Sequence, residues 1–175
     1  MIICAGNNEI FDFATPMGVG MVDMSINLTK YVMMTQPERL LFIGSAGSYG
    51  EHNVFDIVES KTATNIENSF FRGAYTPIDN MISTSSDVSR ETIVNSSNYI
   101  TTEKTLSEKY LNYKIFLENM EFFAFLKVAQ AFEIPAGGVF IVTNYCDEYA
   151  HETFLKNHKV AMEKLTNYIK KRIQV

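Results

Sequence analysis

Glu118-Asn119-Met120-Glu121-Phe122-Phe123-Ala124-Phe125-Leu126 is the stretch on which the reading of this chain turns. From Met120 to Val128 the side chains are apolar almost all round, interrupted only by Glu121 and Lys127. Such a run predicts a mostly buried helix, here over residues 119–132. Lys127 can reach water through its long stem. Glu121 has no such escape, because it lies directly between Met120 and Phe122. A carboxylate in these surroundings is costly to bury unless donors meet it. Either Glu121 sits at an exposed edge of the helix, or a ligand supplies the donors. A sugar diol, with two adjacent O–H groups, suits one carboxylate well.

Working outward, apolar strands alternate with helices. Residues 1–5 read as a buried strand that ends in the turn-rich Gly6-Asn7-Asn8-Glu9, and residues 11–15 as a second short strand. Met21, Met24, Ile26, Leu28, Val32 and Met33 give residues 21–34 the broad apolar side of a helix. Residues 39–43 form a compact strand that exits into a turn at Gly44-Ser45-Ala46-Gly47-Ser48, and residues 54–58 resemble the next strand. Residues 61–75 are polar with few periodic features, so a loop flanked by short extended pieces is expected there. Residues 92–100 read as a strand carrying Tyr99 and Ile100 at its exit, 105–110 as one or two helical turns, and 114–117 as a short strand. Val139-Phe140-Ile141-Val142 is a strand of β-branched and aromatic residues that stops at Thr143-Asn144, and a long amphipathic helix closes the chain over Ala150–Ile173.

This alternation predicts an α/β fold: one three-layer domain over residues 1–175, with a central mixed, mostly parallel sheet flanked by helices. In such sheets ligands bind outside the carboxyl ends of the strands. Gly6-Asn7, Gly44-Ser45, residues 97–99 and Thr143-Asn144 all follow predicted strands and are expected to converge on one cleft.

Net charge is −5, and the cations are scattered apart from Lys170-Lys171-Arg172, which sit where a last helical turn meets its dipole. No basic stripe is present to neutralise a phosphate backbone, so no nucleic-acid partner is expected. The sequence has no membrane-spanning run and no signal-peptide pattern, and a cytoplasmic protein is the expectation. Cys4 and Cys146 lie far apart and read as reduced core thiols. His52, His151 and His158 have neither metal-ligand nor triad spacing, so no metal is expected.

The Gly44-Ser45-Ala46-Gly47 segment, then Asn119-Met120-Glu121 before a buried helix, then a strand ending in Thr143-Asn144, resembles the nucleoside phosphorylase and nucleosidase superfamily. The chain looks like a short form of purine nucleoside phosphorylase, and the resemblance runs in order from Pro16 to the final helix. It implies that Ser45, with the Gly6 backbone, meets phosphate or an attacking water. It implies that Met120 and Glu121 pack on and hydrogen-bond the ribose, and that Tyr99 and Ile100 flank the base. Asn144 falls where the family handles the purine N7 side. An amide there offers both a donor and an acceptor, which implies a 6-oxopurine nucleoside such as inosine or guanosine.

The activity implied is cleavage of the N-glycosidic bond by phosphate, with inorganic phosphate as co-substrate, no organic cofactor or metal, and a homo-oligomeric assembly. The chain departs from the pattern in having Leu41-Phe42-Ile43, with no arginine, before Gly44; its only arginines are Arg39, Arg72, Arg90 and Arg172. That departure supports the alternative of a purine nucleosidase using water, with Glu9 as the activating carboxylate. A third possibility is a nucleoside-binding protein without catalysis.

Overall fold

The computed structural model describes residues 1–173. The strands are β1 (Ile2–Cys4), β2 (Thr15–Pro16), β3 (Leu40–Ser48), β4 (Ile57–Ser60), β5 (Thr62–Thr64), β6 (Met81–Ser83), β7 (Ile93–Ser96), β8 (Ile115–Asn119) and β9 (Ala136–Tyr145). The helices are α1 (Met21–Thr35), α2 (Lys104–Asn112), α3 (Phe122–Ala131) and α4 (Ala150–Ile173). Short 3-10 turns at Phe70–Arg72 and Val88–Arg90 interrupt the long connections.

Among the described residues the strands form one mixed nine-stranded sheet, in the order β2-β1-β3-β8-β7-β5-β6, with β9 bridging β3 and β4. Pairing is parallel in β1–β2, β1–β3, β3–β9, β5–β7 and β7–β8. It is antiparallel in β3–β8, β4–β9 and β5–β6. The period-2 alternation of β3 and β9 divides the core. Phe42, Ala46, Phe140 and Val142 pack with α1 and α3, whereas Ile43, Val139 and Ile141 pack with Ala161, Leu165 and Ile169 of α4. Helices therefore cover both faces, as expected of an α/β layered fold.

The first face is a knot of rings. Phe122 stands edge-on to Phe140, with centroids 4.9 Å apart, and Phe42 touches both. Gly138 lies beneath this knot, and a Cβ there would come within 2.6 Å of Phe122 and 2.7 Å of Phe140. Both rings are fully buried and have no room to retreat. Gly138→Ala is expected to destabilise the fold by about 1–3 kcal/mol, measured as a lowered urea midpoint at unchanged m.

Four expectations are corrected. Residues 11–15 make a turn, with Ala14 N–H donating to Phe11 O, and only Thr15–Pro16 pairs with β1. Phe11 instead turns inward beneath α4. Residues 44–48 are not an exit turn: they continue β3, held by pairing with β9 as far as Tyr145. Residues 54–58 are displaced to β4 at Ile57–Ser60. Glu118 and Asn119 end β8, and the helix expected over 119–132 starts at Phe122. The closing helix is as expected, and the strand expected over residues 139–142 is present but longer, β9 running from Ala136 through Thr143 and Asn144 to Tyr145.

Candidate active site

The site forms where one edge of β3 changes partner. β1 pairs with Leu41 and Phe42, and β8 joins only at Gly47 and Ser48. Between these pairings the backbone of Ser45 has no strand neighbour on this edge, and side chains take over. Ser45 N–H donates to Glu9 Oε1 at 3.0 Å, and Ser45 O accepts from Asn119 Nδ2 at 3.1 Å. Ser45 Oγ also donates to Glu9 Oε1.

A cavity of about 260 Å³ opens at this fork. Gly6, Asn7, Asn8 and Glu9 from the loop after β1 line one side, and Ser45, Ala46 and Gly47 line the floor. Glu118, Asn119, Met120 and Glu121 come from the β8–α3 junction, Thr143 and Asn144 from β9, and His151 and Phe154 from the first turns of α4. Val19 and Ile100 complete the wall. Gly6-Asn7, Ser45 and Thr143-Asn144 thus converge as the topology predicted, whereas residues 97–99 stand outside the lining.

Glu9 is buried, and burial raises its carboxyl above the ordinary carboxylate range against the opposing donors of Ser45. Its Oε2 lies against Gly44, where a Cβ would be only 2.7 Å away, and it has no hydrogen-bond partner. A buried carboxylate oxygen without a donor is costly when ionised, in keeping with the raised carboxyl.

Glu121 immediately precedes α3. Its Oε1 accepts from Gly20 N–H at 2.8 Å, at the N-terminus of α1, where the helix dipole favours an anion. Burial outweighs that help, and with the nearby charge of Glu9 it pushes the Glu121 carboxyl up to about 7. Glu121 is 3% exposed, so the alternative of an exposed helix edge does not hold.

Glu118 also lines the cavity, but its oxygens are engaged: Oε1 accepts from Thr101 N–H at 2.8 Å and Oε2 from Tyr49 OH at 2.7 Å. It fastens the segment that carries Ile100, and burial raises its carboxyl too.

Asn144 and Thr143 are neighbours in sequence, yet both line the cavity. An irregularity in the β3–β9 register, where Ala46 faces Val142 and Gly47 faces Asn144, leaves Thr143 as the extra residue of a bulge. Asn157 of α4 donates to the Thr143 carbonyl at 2.9 Å. Thr143 Oγ1 donates to Asn144 Oδ1 at 2.8 Å, and Asn144 Nδ2 donates to Tyr145 O at 3.0 Å, which fixes the amide. One Nδ2 proton and one Oδ1 lone pair stay available.

Of the residues singled out in the sequence, Gly6, Glu9, Ser45, Ile100, Met120, Glu121 and Asn144 share this cavity. Tyr99 is 80% exposed and stands outside its lining. Asn119, Glu118, His151 and Phe154 also line the cavity, and sequence reasoning assigned none of them a site role. Asn119 and Glu118 adjoin Met120, and reading the strand to its end would have exposed them. His151 and Phe154 carry no local signal, because only the docking of α4 brings them to the cavity. Among the described residues no arginine lines the cavity: Arg90 pairs with Asp87 and Arg172 with Glu59, both at the surface. Nor do His, Cys, Asp and Glu side chains form a metal-holding cluster among those residues, and no helix is long and apolar enough to cross a membrane. Cys4 and Cys146 are buried and unpaired in a disulfide, and burial beside Glu9 pushes the Cys4 thiol up to about 11.

The sequence family described as the phosphorylase superfamily matches residues 81–174. No curated protein sequence matches this chain significantly. Among solved structures, the chain is similar to a 5'-methylthioadenosine/S-adenosylhomocysteine nucleosidase mutant from Helicobacter pylori with 5'-methylthioadenosine in its active site. That match has a TM-score of 0.83 and 16% identity, covering 99% of this chain and 96% of the other. A futalosine hydrolase mutant from the same organism has a TM-score of 0.82 and 16% identity, with 99% and 97% covered. The corresponding nucleosidase from Neisseria meningitidis has a TM-score of 0.77 and 14% identity, with 96% and 95% covered. At these identities the likeness shows a shared fold.

Proposed function

The chain belongs to the phosphorylase superfamily, and on that premise we propose that it is a nucleosidase that hydrolyses the C1′–N9 bond of a 6-oxopurine nucleoside. The observation that carries this reading is Glu9. Its carboxylate already occupies the amide and hydroxyl of Ser45, the donors that a phosphate would need, and Glu9 itself lines the cavity. A carboxylate there repels a phosphate dianion but accepts a proton from water. The lack of an arginine in the lining among the described residues supports the same choice. So do the fold relatives, which are named as a nucleosidase and a hydrolase.

In this mechanism Glu9 takes a proton from water as the water oxygen bonds to C1′ and the C1′–N9 bond breaks. The bond pair leaves with the purine, and positive charge spreads over the ribose ring. Glu121 accepts from the ribose hydroxyls and holds the sugar in register, with Met120 packed against it. The remaining Asn144 Nδ2 proton is donated to N7 and the adjacent O6 of a 6-oxopurine, where negative charge develops. Ser45 orients Glu9, and the Gly6 loop carries it. Water takes the place of the phosphate co-substrate, and the reading calls on neither metal nor organic cofactor.

Phosphorolysis, the first expectation from the sequence, ranks second and rests on Thr143-Asn144. Hypoxanthine release from inosine, assayed in phosphate and in phosphate-free buffer, separates the two. The expected result is equal release in both buffers with ribose as co-product, absent in an Asn144→Ala control. Strict phosphate dependence with ribose 1-phosphate formed would overturn it in favour of a phosphorylase.

A further inference from the structure

We propose that Asn119 is a positioning residue that couples the two ends of the cavity, setting Glu9 for water and Glu121 for ribose through one amide. The proposal deepens the nucleosidase reading and rests on it. Asn119 is the last residue of β8 and is 7% exposed. Its Nδ2 donates to Ser45 O at 3.1 Å, on the residue whose N–H and hydroxyl hold Glu9. Its Oδ1 accepts from Glu121 N–H at 2.9 Å and from Phe122 N–H at 3.0 Å, capping the first turn of α3. The path Glu9–Ser45–Asn119–Glu121–Gly20 is therefore continuous across the cavity floor.

The fork in the sheet explains why a side chain is needed. β3 and β8 pair only at Gly47–Glu118 and Ser48–Leu117, so no β8 backbone reaches Ser45. The open carbonyl needs a donor, and the start of α3 needs an acceptor. An amide supplies both from one position; a carboxylate can cap the helix but has no proton for Ser45 O, and a serine hydroxyl, which can donate and accept, is too short to reach both.

Two variants isolate the tie. Asn119→Asp keeps the capping oxygen and sets an acceptor against the Ser45 carbonyl. Asn119→Ser keeps a capping hydroxyl but is too short to span to Ser45. Both are expected to fold, with kcat for inosine reduced about 10- to 100-fold by misplacement of the water and sugar. Affinity for free hypoxanthine should stay within about twofold of wild type, because Asn144 stands outside the path. In Asn119→Asp the acid limb of the pH profile should also move to higher pH, since an added negative charge disfavours ionisation of Glu9 and Glu121.

A folded variant with wild-type kcat and pH profile overturns the proposal. So does a parallel loss of hypoxanthine affinity, which marks a general structural role. If wild-type protein releases no base, the nucleosidase reading fails, and calorimetry still decides on Asn119. Loss of inosine binding with hypoxanthine binding retained upholds it, and equal effects on both ligands, or binding of neither by wild type, overturn it.

Discussion

Glu9→Gln is expected to slow hypoxanthine release from inosine by about 10²- to 10⁴-fold, the range contributed by a positioned general base. The amide is nearly isosteric and can still accept from the Ser45 donors, so the variant should fold and bind free hypoxanthine as wild type does. What it lacks is a group that takes a proton from water. The pH profile makes a second test of the same group. Burial raises the Glu9 carboxyl above the ordinary range, and only the ionised form acts as base. Activity should therefore rise with pH through a limb displaced upward from ordinary carboxylate titration, and in the variant the part of that limb due to Glu9 should be lost while that of Glu121 remains. Stopped assays of hypoxanthine across pH 5 to about 8 measure both. A Glu9→Gln protein with wild-type turnover would remove Glu9 from the chemistry.

The second large effect concerns Glu121, whose ionisation links stability, pH and ligand. Its carboxyl is pushed up to about 7 from 4.5, chiefly by burial. In the unfolded chain the proton leaves near 4.5, whereas in the folded protein it stays until about 7. The stabilising contribution is thus complete below the unfolded value and is lost as pH rises through the folded one, by about 3 kcal/mol in all. Urea unfolding of the ligand-free protein should show stability falling across that window. Glu121→Gln should flatten the fall and leave the variant more stable than wild type above pH 7. An unchanged slope in the variant would assign the pH dependence to Glu9 and Glu118, which are raised in the same direction.

The ligand should reverse this cost. Ribose hydroxyls donating to the carboxylate favour its ionised form, so inosine binding near neutral pH should release a proton, seen as a buffer-dependent heat. Removing hydrogen bonds to a charged acceptor costs about 1.5–3 kcal/mol, so Glu121→Gln should bind inosine about 10- to 100-fold more weakly while holding free hypoxanthine unchanged. Equal inosine affinity in the variant would remove the diol role. Stability and function are opposed at this one side chain, a common feature of binding sites.

Much of this was legible in residue order. The 3.6-residue periodicity of α1 and α4 and the β-branched run of β9 are local, so helix and strand followed from neighbours a few positions apart. Glu121 stood out for the same reason, as a charge set between Met120 and Phe122, and the polar strand ends at Gly6, Ser45 and Asn144 marked the cleft. Tertiary structure decided the rest. Gly44 to Ser48 reads as a turn because glycine and serine favour turns in isolation; pairing with β9 overrides that preference and continues the strand. Asn119 reads as the first residue of a helix, yet its side chain spans 74 positions to the Ser45 carbonyl, as Glu9 spans 36 to the Ser45 amide. Those bonds exist only because β1 leaves the edge of β3 before β8 joins it, and no local pattern encodes where two strands diverge. The proposal of water over phosphate rests on that same fork: sequence places Glu9 near the first strand, but only the folded edge sets its carboxylate on the donors of Ser45.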